Sequence, residues 1–320
     1  RLSILTKSVD YNNCDIIEIT DRISNIFENA VVDNSISILK KDKNSNHLSS
    51  FTSKKIVNGK IENKEVLLLE HLKFNSETFD ITALKKLNEL NKYSANTKIL
   101  GDIVESSQGI TVYAKVQGEK INYFRDNDLE DGSKKYLKGR DINKYENNWD
   151  STYIIYGKHL WCKRDKKYFE NPKIFLRQTS DRIIATYIEE PFYCIDSIHS
   201  LIQLNKDFDL KYILSILNSK FGDYLFKLLI SETGKVFAQV KLTFLRRIPI
   251  KFIKNQSIFI NKVEKIIENK QTNEDTTDLE QQIDNLVYKL YELTYDEVLV
   301  VEPEFSERMS REEYEGLKVE

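Results

Sequence analysis

The side chains best suited to chemistry in this sequence are cations interleaved with aromatic residues, and they concentrate between Tyr136 and Leu204. Thirteen Lys or Arg residues and six Asp or Glu residues lie between Lys134 and Arg182, whereas the whole chain has a net charge of −2. A basic segment of this kind is typical of a surface that neutralises nucleic-acid phosphates. The charge distribution therefore favours a nucleic-acid-binding face in the middle of the chain.

Seven cations of this segment are candidates for phosphate contacts, which supply affinity and position a protein on a duplex. They are Lys134, Lys135, Lys138, Arg140, Lys144, Lys163 and Arg164. The alternative is a solvated face in a lysine-rich protein.

Arg177, Gln178 and Arg182 carry the donors and acceptors that read base edges, since Arg matches guanine and Gln matches adenine. The alternative is that both arginines pair with Asp181 or other nearby acids. Lys235, in the segment that follows the helical pattern ending at Ile230, is a further candidate for a backbone contact. That segment is equally typical of a turn that ends a helix.

Two other chemistries have weaker support. His159, Cys162, Cys194 and His199 have the types and number of a zinc site. However, side chains five apart face opposite sides of a straight strand, which disfavours Cys194 and His199 as joint ligands. Residues 62–64 (Glu-Asn-Lys) resemble the end of a nuclease motif but have no partner Asp placed by the sequence. We predict no metal and no catalytic residue here.

Alternating apolar residues predict the strands that position the basic residues. These strands are 99–104, 108–113, 152–156, 174–178, 183–187 and 200–204. Helical spacing of apolar residues predicts helices over 80–93 and from Leu210 to Ile230. This mixture predicts an α+β fold with a sheet-rich recognition domain.

Residues 15–20 and 35–39 alternate in the same way and predict two short strands. Because two short strands cannot bury a face alone, we expect them to be the edge of a sheet whose other strands precede Arg1. Residues 42–75 are polar and lysine-rich, and we expect a connector with one buried strand there. The chain opens on Arg1 rather than Met, so we expect a fragment of a longer protein.

Apolar residues recur at coiled-coil spacing between Ser257 and Leu293, and those in the second part of this range form a narrow apolar seam. The seam consists of Leu279, Ile283, Leu286, Leu290 and Leu293. We interpret it as a helical brace for the recognition domain, with a dimer through 279–293 as the alternative. From Asp296 onward nine acidic residues outnumber three basic ones. This composition predicts a disordered tail or an acidic segment that rests on the basic face.

Three scattered cysteines, with no signal peptide and no long apolar run, predict a cytoplasmic protein without a membrane span. Length allows two domains or one domain with a helical appendage, and either could bury a core without disulfides.

Several motifs follow one another in an order that carries a family resemblance. They are Leu100-Gly-Asp-Ile103, Gln108-Gly-Ile110, Tyr136-Leu-Lys-Gly-Arg-Asp-Ile142, Lys173-Ile-Phe-Leu-Arg177, Ala185-Thr-Tyr187, Asp196-Ser-Ile198 and Tyr212-Ile-Leu-Ser-Ile-Leu-Asn-Ser219. Over roughly residues 98 to 300 the chain resembles the C-terminal target-recognition region of adenine-specific DNA methyltransferases. The TaqI-like specificity domain of fused restriction-modification (type IIG) enzymes is the most similar pattern.

The resemblance implies a division of the chain into five parts. Residues 1–45 would be the C-terminal remnant of a methyltransferase domain, 46–97 a connector with one helix, 98–250 the DNA target-recognition domain, 251–295 the helical brace and 296–320 an acidic tail. The family's catalytic tetrapeptide contains two adjacent prolines, and this sequence has none. We therefore expect no methylation by this chain alone.

The implied function is sequence-specific binding of double-stranded DNA that positions an adenine for N6 methylation. S-adenosylmethionine is implied as the cofactor of an upstream methyltransferase domain, and an endonuclease activity of the whole protein stays open. Two alternatives are part of a stand-alone type I restriction specificity subunit, and a protein-interaction scaffold that uses its helices.

Overall fold

A computed structural model describes residues 14–21, 35–41, 50–57, 60–68, 89–114, 124–126, 132–230 and 239–317. The chain divides into two compact units, residues 1–92 and residues 93–320. No helix within these described ranges is long and apolar enough to cross a membrane.

The first unit contains one sheet of four strands in the order β2-β1-β3-β4. The strands are β1 (Cys14–Asp21), β2 (Ser35–Lys41), β3 (Ser50–Val57) and β4 (Lys60–Leu68). β1 lies antiparallel to β2 and parallel to β3, and β3 and β4 are antiparallel neighbours. The two strands predicted near the start of the chain are thus confirmed.

This sheet corrects two expectations for the first unit. β1 finds its second neighbour in β3, which follows it in the chain, whereas strands before Arg1 were expected to complete the sheet. Residues 42–75 contain two strands rather than one. The β1–β3 pairing joins residues on both sides of the division predicted after residue 45, and that division stays a prediction. Of the helix predicted over 80–93, residues 89–92 are described and helical.

The second unit has fourteen short strands among its described residues. They are β5 (Thr97–Ile99), β6 (Val104–Gln108), β7 (Thr111–Ala114), β8 (Phe124–Arg125), β9 (Ser133–Leu137), β10 (Ile142–Asn143), β11 (Glu146–Asn147), β12 (Tyr153–Ile155), β13 (Leu160–Cys162), β14 (Lys173–Arg177), β15 (Ala185–Ile188), β16 (Tyr193–Cys194), β17 (Ile198–Gln203) and β18 (Pro249–Lys251).

Helices connect and cover these strands. They are α1 (Leu100–Ile103), α2 (Lys167–Glu170), α3 (Leu210–Asn218), α4 (Lys220–Leu229), α5 (Leu242–Leu245), α6 (Ser257–Gln271), α7 (Thr277–Leu290), α8 (Tyr295–Val301) and α9 (Arg311–Gly316), with 3-10 turns at Gly139–Asp141 and Pro303–Glu307. The predicted α+β class is confirmed.

Two four-stranded sheets hold the recognition part of this unit together. One has the order β15-β14-β17-β6 and is antiparallel throughout, and the other has the order β16-β9-β12-β8. Phe175 of β14 and Tyr136 of β9 are fully buried in one apolar cluster that also holds Phe169 and Tyr193. The rings of Phe169 and Tyr193 stack with centroids 4.7 Å apart. The cluster fixes the ends of both sheets relative to each other.

Residues 100–103, which were predicted to continue a strand, form the short helix α1 instead. Leu100 and Ile103 are fully buried. The backbone N–H groups of Leu100 and Gly101 donate to the carbonyls of Ile248 and Arg246 over 2.9 and 2.8 Å. The helical turn therefore satisfies its exposed donors with a segment distant in sequence, which periodicity cannot reveal.

The helix predicted from Leu210 to Ile230 is two helices that meet at Ser219. Ser219 has an extended backbone and its hydroxyl accepts a hydrogen bond from the N–H of Gly222 over 2.9 Å, so it caps α4. A Cβ atom on Gly222 would lie 2.1 Å from the carbonyl oxygen of Ile216. The sharp turn between α3 and α4 thus requires glycine.

The predicted helical brace is a hairpin of α6 and α7 that packs on α3, and α7 also contacts α4. Ile283, Leu290 and Leu293 of the apolar seam are buried inside the unit. The described seam therefore serves an internal core.

Residues 296–317 are folded, contrary to the disordered tail expected from their composition. Tyr295, Phe305 and Tyr314 are buried and their rings contact one another. Capping boxes at Thr294 and Ser310 begin α8 and α9. The acidic residues therefore serve helix starts and the exposed face of an aromatic core, where a solvated tail was expected.

Glu302 ties this C-terminal part to α4 and α7. Its carboxylate accepts hydrogen bonds from Lys220, from two nitrogens of Arg308 and from the hydroxyl of Tyr288. Burial alone would raise the pKa of Glu302, but the bonds from Arg308 and Lys220 outweigh burial and lower it. The buried charge is therefore paired rather than isolated.

A cavity of about 320 Å³ lies between the recognition strands and the turn of the hairpin. Lys144 and Asn218 line one side, and Lys270, Glu280 and Asp284 line the other. The Oδ1 atom of Asp284 accepts a hydrogen bond from the backbone N–H of Lys220 over 2.8 Å, at the first residue of α4.

We expect Gly222→Ala to lower the free energy of unfolding by roughly 2–4 kcal/mol, because the added methyl group overlaps a backbone carbonyl. Urea unfolding measures the change. Gly316→Ala is the matched control, since a Cβ there meets nothing within 4 Å, and we expect a change of about 1 kcal/mol or less. Equal losses in the two variants would contradict the close contact.

We expect the stability of the Asp284→Asn variant, measured as its free energy of unfolding, to increase relative to that of the parent chain as the pH rises from about 4 to 7. Burial raises the pKa of Asp284 to about 6, although the hydrogen bond from the backbone of Lys220 and the charges of Lys220 and Lys144 each lower it. The folded chain then holds a proton that the unfolded chain releases, so this group's contribution to stability falls as pH rises through that window. Urea unfolding at both pH values should show a relative gain of about 1–3 kcal/mol for the variant. A pH-independent difference would contradict the burial.

Candidate nucleic-acid interface

Three polar segments that lie far apart in sequence meet at one end of the sheets. We call them the loop cluster, which consists of residues 108–110, 138–141 and 196–198. The N–H of Gly109 donates to the carbonyl of Ile198, and the N–H of Asp196 donates to the carbonyl of Ile110, over 2.8 and 3.1 Å. A Cβ on Gly109 would lie 2.1 Å from the carbonyl oxygen of Ile195. Only glycine allows this approach.

Arg177 joins the second segment of the loop cluster to the end of β14. Its Nε atom donates to the carbonyl of Gly139 over 2.8 Å. The next residue, Gln178, donates its backbone N–H to the carbonyl of Ser197 over 2.8 Å. A Cβ on Gly139 would lie 3.1 Å from the hydroxyl of Ser197. Arg177 therefore positions the 138–141 turn, and its half-buried guanidinium lies at the edge of the cluster.

Asp141 shapes the turn that carries Arg140. The buried Oδ2 atom of Asp141 accepts a hydrogen bond from the backbone N–H of Lys138 over 2.7 Å. The N–H of Asn148 donates to the carbonyl of Asp141 over 2.7 Å. Asp141 faces inward and Arg140 faces solvent with its side chain 72% exposed, while the Arg140 Nε atom lies 3.6 Å from Asp141 Oδ1. The turn presents a cation on a rigid base.

Asp150 compensates part of the positive charge beside Arg140. Lys138 Nζ lies 2.9 Å from Asp150 Oδ2, and the nearest guanidinium nitrogen of Arg140 lies 3.4 Å from the same oxygen. The hydrogen bond from the Thr152 hydroxyl, followed by that from Lys138, holds the pKa of Asp150 well below its usual range. A phosphate that binds Lys138 must therefore compete with a carboxylate.

Arg164 forms hydrogen bonds to the 108–110 segment of the loop cluster. It adopts a left-handed backbone with φ of 61°, which is uncommon for a residue other than glycine. Its guanidinium donates to the carbonyl of Gly109 over 3.3 Å and to the Gln108 side chain over 3.4 Å. The side chain thus stabilises the cluster, a role that the sequence did not indicate.

The remaining predicted site residues are not gathered at the loop cluster. Lys135 pairs with Glu190 over 2.8 Å and lies over the Trp149 ring at 5.2 Å. Lys144 donates to the carbonyl of Asn218 over 2.6 Å and lines the cavity beside the hairpin. Both cations therefore have structural partners.

Arg182 pairs with the adjacent Asp181 over 3.3 Å, as the alternative to base reading proposed. Lys134 is half-buried on β9, and Lys163 is exposed. Lys235 lies outside the described residues.

Sequence reasoning did not select Gln108 or Ser197 as site residues, although both contribute polar atoms to the loop cluster. Thr111 and Asp196 were missed too, and the Thr111 hydroxyl donates to Asp196 Oδ2 over 3.1 Å. The signal was present, since these residues lie in or beside the motifs that carry the family resemblance.

The four residues considered for zinc make other contacts. His199 is buried and its Nε2 lies 2.7 Å from the carbonyl of Val240, while His159 Nε2 lies 3.0 Å from the carbonyl of Ile155. Burial lowers the pKa of His199 and raises the pKa of the Cys194 thiol. Across the described part of the chain, no three His, Cys, Asp or Glu side chains are arranged to hold a metal.

We expect Asp141→Ala to lower the free energy of unfolding by about 2 kcal/mol, because it removes a buried carboxylate and leaves the part-buried N–H of Lys138 without its acceptor. Thermal or urea unfolding measures the loss. Asp181→Ala is the matched control, since that carboxylate is 74% exposed and pairs only along the loop. We expect the control to change stability by about 0.5 kcal/mol or less. A loss no larger than the control's would contradict the structural role of Asp141.

Comparison with known proteins identifies the segment that contains most of this site. No curated protein matched the sequence. Among solved structures, the type IIG restriction endonuclease BpuSI is 11% identical, with a TM-score of 0.43 over 90% of this chain and 45% of its own. The type IIL restriction-modification enzyme MmeI, solved in complex with DNA, is 8% identical, with a TM-score of 0.45 over 95% of this chain and 46% of its own. A type I restriction-modification S subunit from M. genitalium is 14% identical, with a TM-score of 0.33 over 55% of this chain and 38% of its own.

The chain thus spans less than half the length of these solved chains. A family comparison matches residues 134–250 to the TaqI-like C-terminal specificity domain. This match covers the 138–141 turn, Arg177 and the 196–198 segment, and it is narrower than the region from 98 to 300 suggested by the motifs. Residues 134–250 of the chain are therefore a TaqI-like C-terminal specificity domain.

Proposed function

We propose that this chain is the DNA target-recognition part of a restriction-modification enzyme. The observation that carries the proposal is the loop cluster, which holds Arg140 in solvent on a buried and hydrogen-bonded turn. The family match to a specificity domain covers this turn and Arg177. A rigid base lowers the entropy lost when a long cationic side chain contacts a ligand.

The exposure and the hydrogen-bond partners of the cations suggest which of them contact phosphates and which contact bases. Arg140 and Lys163 are exposed and suited to phosphate contacts, which position the protein without reading sequence. Arg177 donates through Nε, which leaves its two terminal nitrogens for a base edge such as guanine. Gln178 and Arg182 extend this edge along the loop that follows β14. Their contacts to bases would specify the site.

The chemical step that this recognition serves is the finer part of the proposal. We propose that the target base is adenine, and that N6 methylation uses S-adenosylmethionine bound by a methyltransferase domain outside this chain. The sequence supports a separate catalytic part because it lacks adjacent prolines and hence the family's catalytic tetrapeptide. Within this chain, the residues of the loop cluster bind and orient DNA.

The helical brace supports the recognition domain in this proposal, since much of its apolar seam is buried against α3 and α4. Two alternatives give different results. A stand-alone type I specificity subunit would co-purify with separate methyltransferase subunits. A scaffold would retain its DNA interaction unchanged after neutralisation of Lys134, Lys138, Arg140 and Lys163.

We expect the chain to bind duplex DNA with an affinity that falls steeply as salt rises, because cation contacts release counterions from phosphates. Fluorescence anisotropy with a duplex pool measures the slope of log Kd against log salt. Arg140→Ala and Lys163→Ala should each reduce that slope by about 1, whereas Arg182→Ala should mainly relax sequence preference.

Lys265→Ala is the matched control for the charge removal, because Lys265 is an exposed cation of α6 that pairs with Glu268 over 2.9 Å. We expect it to leave the slope unchanged. Binding that does not depend on salt, or absence of binding to every duplex pool, would contradict the proposed function.

A further inference from the structure

Seven large apolar residues of the described chain are exposed, and Trp161 is the more exposed of the two aromatic ones among them. It belongs to β13, and 59% of its surface is exposed. The other tryptophan, Trp149, donates its Nε1–H to the carbonyl of Thr152 over 2.8 Å and contacts the ring of Phe192 at 5.4 Å. Trp149 is explained by its packing, and Trp161 is not.

The surroundings of Trp161 are strongly cationic. Five cations and one acid occupy the segment from residue 158 to residue 167. They are Lys158, Lys163, Arg164, Lys166 and Lys167, with Asp165 as the acid. Lys158, Lys163 and Lys166 are exposed, while Lys167 pairs with Glu105 over 2.6 Å. An exposed indole within such a charge excess is complementary to a polyanion that also offers flat apolar surfaces.

Trp161 is also connected to the loop cluster through the backbone. Cys162 pairs with Thr111 across β13 and β7, and the register is irregular between Leu160 and Cys162. Thr111 donates to Asp196 of the loop cluster over 3.1 Å. Three residues after Trp161, Arg164 donates to the carbonyl of Gly109. The strand that presents the indole is thus fixed to the proposed interface, and irregular pairing of this kind re-aims side chains beside functional sites.

We propose that the Trp161 ring, with Lys163 beside it, is a second contact to duplex DNA, in which the indole face packs against a base or a deoxyribose. This inference rests on the proposed function, and it extends the interface from the loop cluster onto β13. Nucleic acid is the occupant because the charge of the segment matches phosphates and the flat apolar ring can pack on a deoxyribose or on the face of an unstacked base.

The two members of this contact differ in how they respond to salt. A lysine that neutralises a phosphate contributes to the salt dependence of binding, since it displaces a counterion. A ring that packs on a base or sugar displaces none, so its loss lowers affinity at every salt concentration equally. This difference separates a specific ring contact from a general loss of positive surface.

Tryptophan emission tests the contact directly in the full chain. Trp149→Phe leaves Trp161 as the sole tryptophan, and Trp161→Phe leaves Trp149 for comparison. With short duplexes of randomised sequence, we expect Trp161 emission to be quenched at the DNA concentrations at which anisotropy reports binding. Inorganic polyphosphate should leave it unchanged because it has charge but no rings. If Trp149→Phe does not fold, the quenching lost between the parent chain and Trp161→Phe gives the same information.

Affinity provides the second readout. We expect Trp161→Ala to weaken duplex binding about 5- to 30-fold without changing the salt slope, and Trp161→Phe to recover most of the loss. Lys163→Ala should reduce the slope by about 1. DNA binding with unchanged Trp161 emission and unchanged affinity in Trp161→Ala would overturn this inference and leave the proposed function standing. Absence of binding to any duplex would overturn both.

A second copy of the chain is the competing occupant of this surface. An emission change that depends on protein concentration in the absence of DNA, and that Trp161→Ala abolishes, would identify it. That result would overturn the assignment of the ring to nucleic acid.

Discussion

The backbone of Gly109 lies against the carbonyls of Cys194 and Ile195, and the loop cluster depends on this approach. Without a side chain at residue 109, the N–H groups of Gly109 and Ile110 reach carbonyls of the 194–198 segment. Buried backbone donors must find acceptors, so this closure also fixes where the neighbouring loops can run. Arg164 supports the junction on one side and Arg177 holds the 138–141 turn on the other. Exposed Arg140 therefore sits on three mutually constrained segments.

Local patterns predicted β12, β14, β15 and β17, because a strand buried on one or both faces shows its pattern over a few residues, but they did not predict short strands such as β9 and β13. β14 and β17 follow from such runs. The point at which one helix ends and the next begins was not predicted. Leu217, Phe221 and Leu225 keep helical spacing across Ser219, although the chain turns there. Composition misjudged the acidic end for a related reason. A few aromatic residues, Tyr295, Phe305 and Tyr314, bury enough surface to order a segment whose charge suggests disorder.

Counting charge located the basic segment but could not tell which cations would stay available. Lys135 meets Glu190, which is 55 residues away, and Lys144 meets the carbonyl of Asn218, which is 74 residues away. Contacts between residues so far apart in sequence depend on the topology of the fold. A count of charges along the sequence therefore cannot distinguish a lysine that has a structural partner from one that is solvated. Arg140 differs because its side chain stays 72% exposed, although its guanidinium lies 3.6 Å from Asp141 and 3.4 Å from Asp150. The candidate site is thus defined by hydrogen bonds to backbone carbonyls as much as by charge.

The break at Ser219 has a consequence for how such proteins could be recombined. It creates the start of α4, where the buried carboxylate of Asp284 receives the N–H of Lys220. A recognition domain exchanged without its own hairpin would leave this buried carboxylate, or the helix start, without its partner, at a cost of several kcal/mol. Residues 218–220 and Asp284 therefore need to be kept together in one exchanged polypeptide segment. The polar contact between α4 and α7 thus limits where a recognition domain can be exchanged. The junctions of a chimera should lie outside the segment that contains both partners of this contact.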